Sequence, residues 1–262
     1  MQFFYLMLEI GYSHFLDYPT NNPAVQKMAY KRSMESVLSK RFHDRFIVLE
    51  GIDGAGKTTQ SKMLSKALSD RGMDVLGTRD PGGTKAAEDI RKILLGDNSP
   101  ESAKTQALLF TAARMDNLEM NILPHLKNDG VVIMDRFLTS TISMQGYGAK
   151  FLAGEGSEDP IPFASQMVHL IADLPRHTFL IDLNPEAVKQ RVGSREGQAL
   201  DVFDRKPVAY HSVVREAMLR EARNFTEILT IIPGHEGPEA IHKMIMEELS
   251  DDKAFCLPQA SA

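Results

Sequence analysis

The run GIDGAGKTT, from Gly51 to Thr59, follows the apolar stretch RFIVLE and leads into an amphipathic helical pattern. Its spacing, G-x-x-x-x-G-K-[ST], is typical of a loop whose backbone N–H groups surround the phosphates of a nucleotide. Lys57 would bring a positive charge to the β and γ phosphates, and the Thr58 hydroxyl would bind Mg²⁺. The order of strand, loop and helix therefore predicts chemistry on a nucleoside triphosphate. The whole run forms the predicted ATP-binding set: Gly51, Ile52, Asp53, Gly54, Ala55, Gly56, Lys57, Thr58 and Thr59.

Apolar strands alternate with helical stretches along the rest of the chain. Such alternation predicts an α/β fold in which helices cover both faces of a parallel sheet, with ligands at the carboxyl ends of the strands. Together with the phosphate loop, it indicates a P-loop NTPase fold. The five strands are predicted near residues 45–50, 73–78, 131–135, 177–182 and 228–232.

Composition argues against several classes of protein. The formal charge of -5 and the pI near 5.9 disfavour a protein that grips a nucleic-acid backbone, because that task needs a basic face. The single cysteine, Cys256, excludes an internal disulfide and a cysteine metal cluster, which favours a reducing compartment. No apolar stretch is long enough to span a bilayer, so we expect no membrane insertion and a cytoplasmic location.

Two further strand ends carry side chains suited to phosphate chemistry. The stretch GVVIMDRF delivers Asp135 and Arg136 to the same sheet edge as the phosphate loop, where Asp135 could hold a metal and Arg136 an acceptor phosphate. The alternative for Asp135 is a cap for the helix that starts near Leu138. The stretch TRDPGGT places Arg79 just beyond another strand, where it could hold a phosphate or lie on the surface before an ordinary turn.

The helical pattern over residues 103–126 separates two kinds of side chain. Its apolar stripe is predicted to face the core and leaves Phe110 and Arg114 on the opposite face, as neighbours four residues apart. An aromatic ring beside a guanidinium can stack on a base and donate to its carbonyl edge. The alternative is a phenylalanine buried under a neighbouring helix. The stripe comprises Leu108, Ala112, Met115, Leu118, Ile122 and Leu126.

Several motifs in this order resemble the thymidylate kinase family over roughly residues 45–248. They are GIDGAGKTT, TRDPGGT, LLFTAARMDNLE, DRFLTSTISMQGYG, FLIDLNPE and the ungapped stretch from Asp201 to Met218. The resemblance implies transfer of the ATP γ-phosphoryl group to thymidine 5′-monophosphate (dTMP), which gives the diphosphate (dTDP). It also implies Mg²⁺ as cofactor, ATP and dTMP as partners, a homodimer, and a mobile lid on the P-loop fold.

Matching positions in the family imply roles for single residues. Asp53 would contact the sugar 3′-hydroxyl and the metal region, and Phe110 would stack on thymine beside Arg114. The other acceptor-binding residues would be Arg79, Arg136, Thr141 and Gln145, and the metal ligands Thr58 and Asp135. The catalytic group would be Lys57, Arg136, Asp53 and a lid cation, for which Arg195 is preferred and Arg191 or Arg205 are alternatives.

The chain departs from the family pattern in its lid and pocket wall. Val202 stands where an arginine is common, which leaves open a catalytically impaired nucleotide-binding homologue. Met144 and Met218 replace tyrosines, which leaves open a kinase for another nucleoside monophosphate, because methionine offers no hydroxyl. Asp80 is one methylene shorter than the usual glutamate.

The resemblance also divides the chain. We expect an N-terminal extension over residues 1–41, with disorder as one interpretation, a thymidylate kinase-like domain over 42–250, and a C-terminal tail over 251–262. Organellar import through the extension is the less favoured alternative, because acids stand among its basic residues.

Overall fold

A five-stranded parallel sheet lies at the centre of the protein, in a computed structural model that describes residues 40–188 and 201–257. The strand order is β2-β3-β1-β4-β5. The strands are β1 (Arg41–Glu50), β2 (Val75–Arg79), β3 (Val131–Asp135), β4 (Asp173–Asp182) and β5 (Leu229–Pro233). The predicted α/β class and parallel sheet are confirmed, and each predicted strand overlaps an observed one.

Helices connect the strands and cover both faces of the sheet. The principal ones are α1 (Lys57–Ser69), α2 (Lys85–Leu95), α3 (Ala103–Asn117), α4 (Leu123–Lys127), α5 (Leu138–Thr141), α6 (Ala149–Ala153), α7 (Ile161–His169), α8 (Val208–Asn224) and α9 (Pro238–Asp251). Leu118–Ile122 and Ile142–Gly148 are wider, π-helical segments. No helix within the described ranges combines the length and apolar character that a membrane span needs.

The central strand β1 explains the continuous apolar run RFIVLE. Residues 46–49 are fully buried, because a strand in the middle of a parallel sheet is covered on both faces. Ile47 and Leu49 belong to one core cluster, whereas Phe46 and Val48 belong to another. Since neighbouring side chains of a strand point to opposite faces, the two clusters lie on the two sides of the sheet.

The register aligns the strand ends that the sequence singled out. Leu49 of β1 and Arg79 of β2 both stand beside Asp135 of β3. Residues that immediately follow these positions therefore meet at one carboxyl edge. This edge carries the phosphate loop, Arg79, Asp135 and Arg136.

The prediction that one continuous apolar stripe over residues 103–126 is buried is wrong in its first half. Leu108 is 50% exposed and Met115 39% exposed, and Ala112 is also exposed, whereas Leu118 and Ile122 are buried. The π-helical segment Leu118–Ile122 supplies the physical reason. A wider turn shifts the phase of the helix, so residues at regular spacing before and after it do not share one face.

Candidate active site

The phosphate loop lies between β1 and α1, and the Lys57 side chain bonds back to its backbone. Lys57 Nζ donates to the carbonyl oxygens of Gly51 and Ile52, each at 3.0 Å. Burial and the neighbouring charge of Arg136 lower the pKa of Lys57, while carboxylates, Asp53 first, oppose that shift. Gly51 has a φ of 142°, and a Cβ there would lie 2.6 Å from the Ile181 carbonyl oxygen. The tight packing at the start of the loop therefore requires glycine.

Thr58 and Asp135 place two oxygen atoms together at the mouth of the loop. Thr58 Oγ1 donates to Asp135 Oδ2 at 2.9 Å. Asp135 ends β3 and Thr58 lies in the first turn of α1, so the sheet edge and the helix start bring the pair together. The side chain of Asp135 contacts the loop, as the metal hypothesis requires, and caps no backbone N–H of α5.

A cavity of about 1200 Å³ opens above the loop at the carboxyl edge of the sheet. Its wall combines cations with carboxylates, a composition suited to phosphate and metal. The charged residues that border it are Asp53, Lys57, Lys62, Arg79, Asp80, Glu88, Arg91, Asp135, Arg136, Asp201 and Asp204.

Arg136 borders this cavity and has a left-handed backbone conformation, with a φ of 72°. Its Nη1 donates to the Gly51 carbonyl oxygen at 3.0 Å and to Ser140 Oγ at 2.9 Å, and its Nη2 donates to Asp53 Oδ1. Burial raises the pKa of Asp53, but the positive charges of Arg136 and Lys57 outweigh that effect and lower the pKa to about 2. Asp53 is therefore an anion at neutral pH and Arg136 a cation.

A second, smaller cavity of about 70 Å³ adjoins the first, and Asp53, Asp80, Arg91, Arg136 and Asp201 border both. Its other lining residues include Phe110, Arg114, Thr141, Met144, Gln145 and Phe203. Phe110 is 7% exposed, and its ring centroid lies 6.1 Å from that of Phe203. The structure thus places Phe110 and Arg114 in one cavity, beside the cavity above the phosphate loop.

Several buried polar atoms near the second cavity have no hydrogen-bond partner among the described residues. Arg114 donates through Nε to Asp80 Oδ2 at 2.6 Å and through Nη2 to Thr141 Oγ1 at 2.7 Å. Arg114 Nη1, Gln145 Nε2 and Asp80 Oδ1 are buried and have no hydrogen-bond partner among the described residues. Such atoms cost free energy unless a ligand or water pairs with them. Two donors and one acceptor are therefore free in the neighbourhood of the second cavity.

Arg79 borders the larger cavity but is tied to a carboxylate. Its Nη2 donates to Glu88 Oε2 at 2.9 Å and its Nε to Glu88 Oε1 at 3.3 Å. The Arg79 side chain is 53% exposed, so it can exchange Glu88 for an anionic ligand at modest cost.

Comparison with known proteins agrees with this geometry. The sequence profile of the family described as Thymidylate kinase matches residues 49–245. A thymidylate kinase of Acholeplasma laidlawii is 36% identical over 205 residues, which cover 78% of this chain and 98% of the relative. One from Caldanaerobacter subterraneus subsp. tengcongensis is 36% identical over 210 residues, which cover 79% and 95%.

The chain belongs to the thymidylate kinase family. It is thus a nucleoside monophosphate kinase with the P-loop NTPase fold. A crystal structure of thymidylate kinase from Ehrlichia chaffeensis matches with a TM-score of 0.60 and 29% identity, and the match covers 79% of this chain and 98% of that chain.

The lid of this thymidylate kinase family member is only partly described. Arg191 and Arg195 lie outside the described residues. Arg205 is described, and its Nη1 donates to Asp97 Oδ1 at 3.0 Å, away from both cavities. Val202 is partly buried and packs against the main core cluster. The turn around it is held by Asp201 Oδ1, which accepts from the backbone N–H groups of residues 203 and 204.

Sequence reasoning missed several residues of the site, among them Arg91, Phe203, Glu50 and Ser140. Arg91 of α2 borders both cavities and donates through Nη1 to the Pro81 carbonyl oxygen at 2.8 Å. Phe203 faces Phe110, Ser140 borders the second cavity and accepts from Arg136 Nη1, and Glu50 accepts from Ser140 Oγ. Glu50 directly precedes the phosphate loop, which was the available signal. Ser140 and Phe203 lie inside stretches that resemble the family, DRFLTSTISMQGYG and Asp201 to Met218, whereas Arg91 lies outside every such stretch.

Proposed function

We propose that the protein transfers the γ-phosphoryl group of ATP to dTMP, producing dTDP and ADP. The observation that carries this proposal is the pair of adjoining cavities, with Asp53 and Arg136 in their shared wall. One cavity has the phosphate loop as its floor, and the other contains an aromatic ring with a guanidinium. A donor triphosphate and an acceptor nucleotide would therefore meet at Arg136.

ATP would bind through the backbone N–H groups of the loop Gly51–Thr59, with Lys57 at the β and γ phosphates. Lys57 Nζ donates to the loop carbonyls of Gly51 and Ile52. Its ammonium already lies within the loop, so it can turn to the phosphates without a large rearrangement. The helix α1 begins at Lys57 and directs its positive end toward the same position.

Mg²⁺ would be held by Thr58 and Asp135. The fit rests on the 2.9 Å contact between the Thr58 hydroxyl and an Asp135 carboxylate oxygen, since hard oxygen donors suit this ion. Two protein ligands are enough, because Mg²⁺ usually takes its remaining ligands from water and substrate phosphates. When bound, the ion would neutralise phosphate charge and help to align the donor.

The acceptor would occupy the second cavity. Phe110 would stack on thymine, and Arg114 Nη1 and Gln145 Nε2, both without partners, would donate to its polar edge. Thr141 would line the pocket while it holds Arg114, and Asp53 would contact the sugar 3′-hydroxyl. Arg136, with Arg79 at the outer rim, would bind the acceptor phosphate.

Alignment and charge neutralisation would carry the reaction. The acceptor phosphate is an anion at neutral pH, so no side chain has to remove a proton from it. Lys57 and Arg136 would bring positive charge to the two phosphate groups that must approach each other. A lid arginine, Arg195 by preference, would add a third cation.

Two alternative functions are motivated by residues that differ from the family pattern. A different nucleoside monophosphate as acceptor is motivated by Met144, which is 8% exposed and lines the second cavity. A nucleotide-binding homologue without turnover is motivated by Val202, which packs into the core and offers no charge. The intact Lys57 and Arg136 favour an active kinase over the second alternative.

A homodimer is also part of the proposal, as is a cytoplasmic location. Leu108, Ala112 and Met115 form an exposed apolar stripe on α3. An amphipathic helix that turns such a stripe outward gains stability when a partner covers it. A second copy of the chain, which carries the same stripe, is the partner that we infer.

A coupled assay of ADP release tests the function directly. Purified protein with MgATP is given each common nucleoside and deoxynucleoside monophosphate in turn. We expect the highest kcat/KM with dTMP. A preference of tenfold or more for another nucleotide would assign the acceptor differently. ATP binding without phosphoryl transfer to any nucleotide would reject the kinase assignment.

A further inference from the structure

Glu50, the last residue of β1, is a fully buried carboxylate that the proposed transfer does not use. Its Oε1 accepts hydrogen bonds from the backbone N–H groups of Phe137 and Ser140, at 2.9 and 3.1 Å. Its Oε2 accepts from Ser140 Oγ at 2.6 Å. Burial of an ionised carboxylate is costly, and these bonds recover part of that cost. A buried charge at this position calls for an explanation beyond packing.

The second carboxylate oxygen connects Glu50 to the active site. Ser140 Oγ donates to Glu50 Oε2 and accepts from Arg136 Nη1 at 2.9 Å. A single hydroxyl therefore joins the buried carboxylate to the guanidinium that borders both cavities. Since the hydroxyl hydrogen is committed to Glu50, the lone pairs of Ser140 Oγ are directed toward Arg136.

The first carboxylate oxygen holds the backbone that follows Arg136. The left-handed conformation of Arg136 is uncommon for a side chain larger than glycine and costs on the order of 1 kcal/mol. It persists where neighbouring contacts fix it. Arg136 N donates to the Leu49 carbonyl oxygen at 2.9 Å, and Phe137 N donates to Glu50. Residues 49 and 50 thus fix the turn on both sides of the Arg136 side chain.

A simple helix cap accounts for only part of this arrangement. A short polar side chain at the N-cap position would satisfy the Ser140 N–H in the first turn of α5. A cap does not require the second oxygen, the serine hydroxyl or the contact to a guanidinium. Glu50 also carries a negative charge into the neighbourhood of Arg136, where burial lowers the arginine pKa but Asp53, Glu50 and Asp135 together raise it.

We propose that Glu50 is a positioning residue that fixes the guanidinium of Arg136 for the acceptor phosphate, through Ser140 Oγ and the backbone of residues 137–140. The proposal rests on the proposed function, which assigns Arg136 to that phosphate. Glu50 touches neither substrate. Its effect should therefore fall on the acceptor and on the transfer step, and spare the binding of ATP.

Two substitutions interrupt the chain at different points. Glu50→Gln places an amide where a carboxylate accepted, so one of its bonds to Ser140 or to the backbone is lost. Ser140→Ala keeps the carboxylate and both backbone contacts and removes only the hydroxyl. We expect each variant to raise the KM for dTMP about tenfold and to lower kcat, with the KM for ATP changed less than about twofold.

A double variant and a matched control separate positioning from folding. Because both substitutions act on one chain of contacts, Glu50→Gln with Ser140→Ala should be no worse than the stronger single variant. Glu221→Gln alters another buried glutamate, 4% exposed, on α8 and outside both cavities. It should leave both KM values unchanged. Equal losses for ATP and dTMP, or an unchanged KM for dTMP in folded variants, would overturn the proposal.

A measurement without substrate distinguishes this proposal from the proposed function. Side-chain ¹⁵N NMR reports the rotation of an arginine guanidinium, and Arg136→Lys identifies the Arg136 signal. We expect restricted rotation in the wild type and faster rotation in Ser140→Ala and Glu50→Gln. Unchanged rotation in both variants would overturn the positioning role even in an active dTMP kinase. If the wild type makes no dTDP but rotation is still restricted in it and faster in the two variants, the function would be rejected and the positioning role supported.

Discussion

The guanidinium of Arg114 and the carboxylate of Asp80 form an ion pair that is almost completely shielded from water. Arg114 Nε donates to Asp80 Oδ2 at 2.6 Å, and the side chains are 1% and 2% exposed. Burial raises the pKa of Asp80 to about 6, although Arg114 opposes that shift. The pair joins the residue after β2 to the last turn of α3, so it fixes the cavity wall that we assign to the acceptor base.

Breaking this pair from one side should be more damaging than removing both partners. Asp80→Asn leaves a buried guanidinium without its counter-ion and should lower the free energy of unfolding by about 3 kcal/mol. The double variant Asp80→Asn with Arg114→Gln should recover part of that loss. Urea denaturation measures both. Strictly additive losses would show that the two side chains do not depend on each other.

Phe110→Ala should weaken the binding of dTMP more than the binding of ATP. Stacking of a base on an aromatic ring contributes about 1–3 kcal/mol, which corresponds to a rise of about tenfold or more in the KM for dTMP. Steady-state kinetics with each substrate varied in turn provide the measurement. Phe151→Ala, which removes a ring that is 44% exposed on α6, serves as the control. Equal effects of Phe110→Ala on both substrates would reject the stacking assignment.

Lys57→Ala should preserve the fold and lower kcat on the order of a thousandfold. The ammonium would act mainly on charge that develops during transfer, and groups of that kind contribute at about this scale. Lys66→Ala is the matched control, since Lys66 lies on the same helix and is 76% exposed beside Asp70. Single-turnover kinetics and circular dichroism test rate and fold separately. A near-normal rate in folded Lys57→Ala would contradict the role.

Glu221 should make the protein less stable as pH rises. Burial raises its pKa to about 7, with Arg220 opposing, so the folded state holds the proton more tightly than the unfolded state does. The stability from this group is present below the ordinary glutamate pKa and is lost as pH rises through about 7. Between about pH 5 and 8 the loss should be on the order of 2 kcal/mol.

Glu221→Gln should remove that pH dependence, because glutamine does not ionise. Urea denaturation at both pH values compares it with the wild type. The control is Glu216→Gln on the same helix, whose side chain is 64% exposed. An unchanged slope of stability with pH in Glu221→Gln would assign the effect to other groups.

Leu108→Asp with Met115→Asp should convert the proposed homodimer to a monomer. Both side chains lie in the exposed apolar stripe of α3, and burial of two carboxylates in an interface is unfavourable. Analytical ultracentrifugation gives the mass of each species. Ile93→Asp, on the exposed side of α2, is the control. A monomeric wild type would remove the proposal, and a dimeric double variant would place the interface elsewhere.

Much of the fold was predictable because its signals are local. The run Phe46–Leu49 is apolar throughout, as a doubly covered central strand requires. The spacing of the glycines and Lys57 is enough to predict the phosphate loop. Asp135 ends a buried strand and Arg136 follows it. Because parallel strands end at one edge of the sheet, the sequence also predicts that both residues lie close to the phosphate loop.

Other parts depend on contacts between distant segments. Arg91 and Phe203 reach the site only because α2 and the turn after residue 200 fold back over it. A regular helical period across residues 118–122 predicts that the exposed stripe on α3 faces the core, and the π-helical segment breaks that period. A π-helical turn has no simple sequence signature, and the change of phase appears only in three dimensions.

The Asp53–Arg136 pair stands in the partition between the two cavities, and occupancy on either side alters the surroundings of the same guanidinium. With donor and acceptor bound as proposed, one on each side of this pair, we expect their binding to be thermodynamically linked. By reciprocity, any gain in affinity that the donor confers on the acceptor is returned by the acceptor to the donor in equal measure. Any synergy between the proposed substrates would then act through this salt bridge.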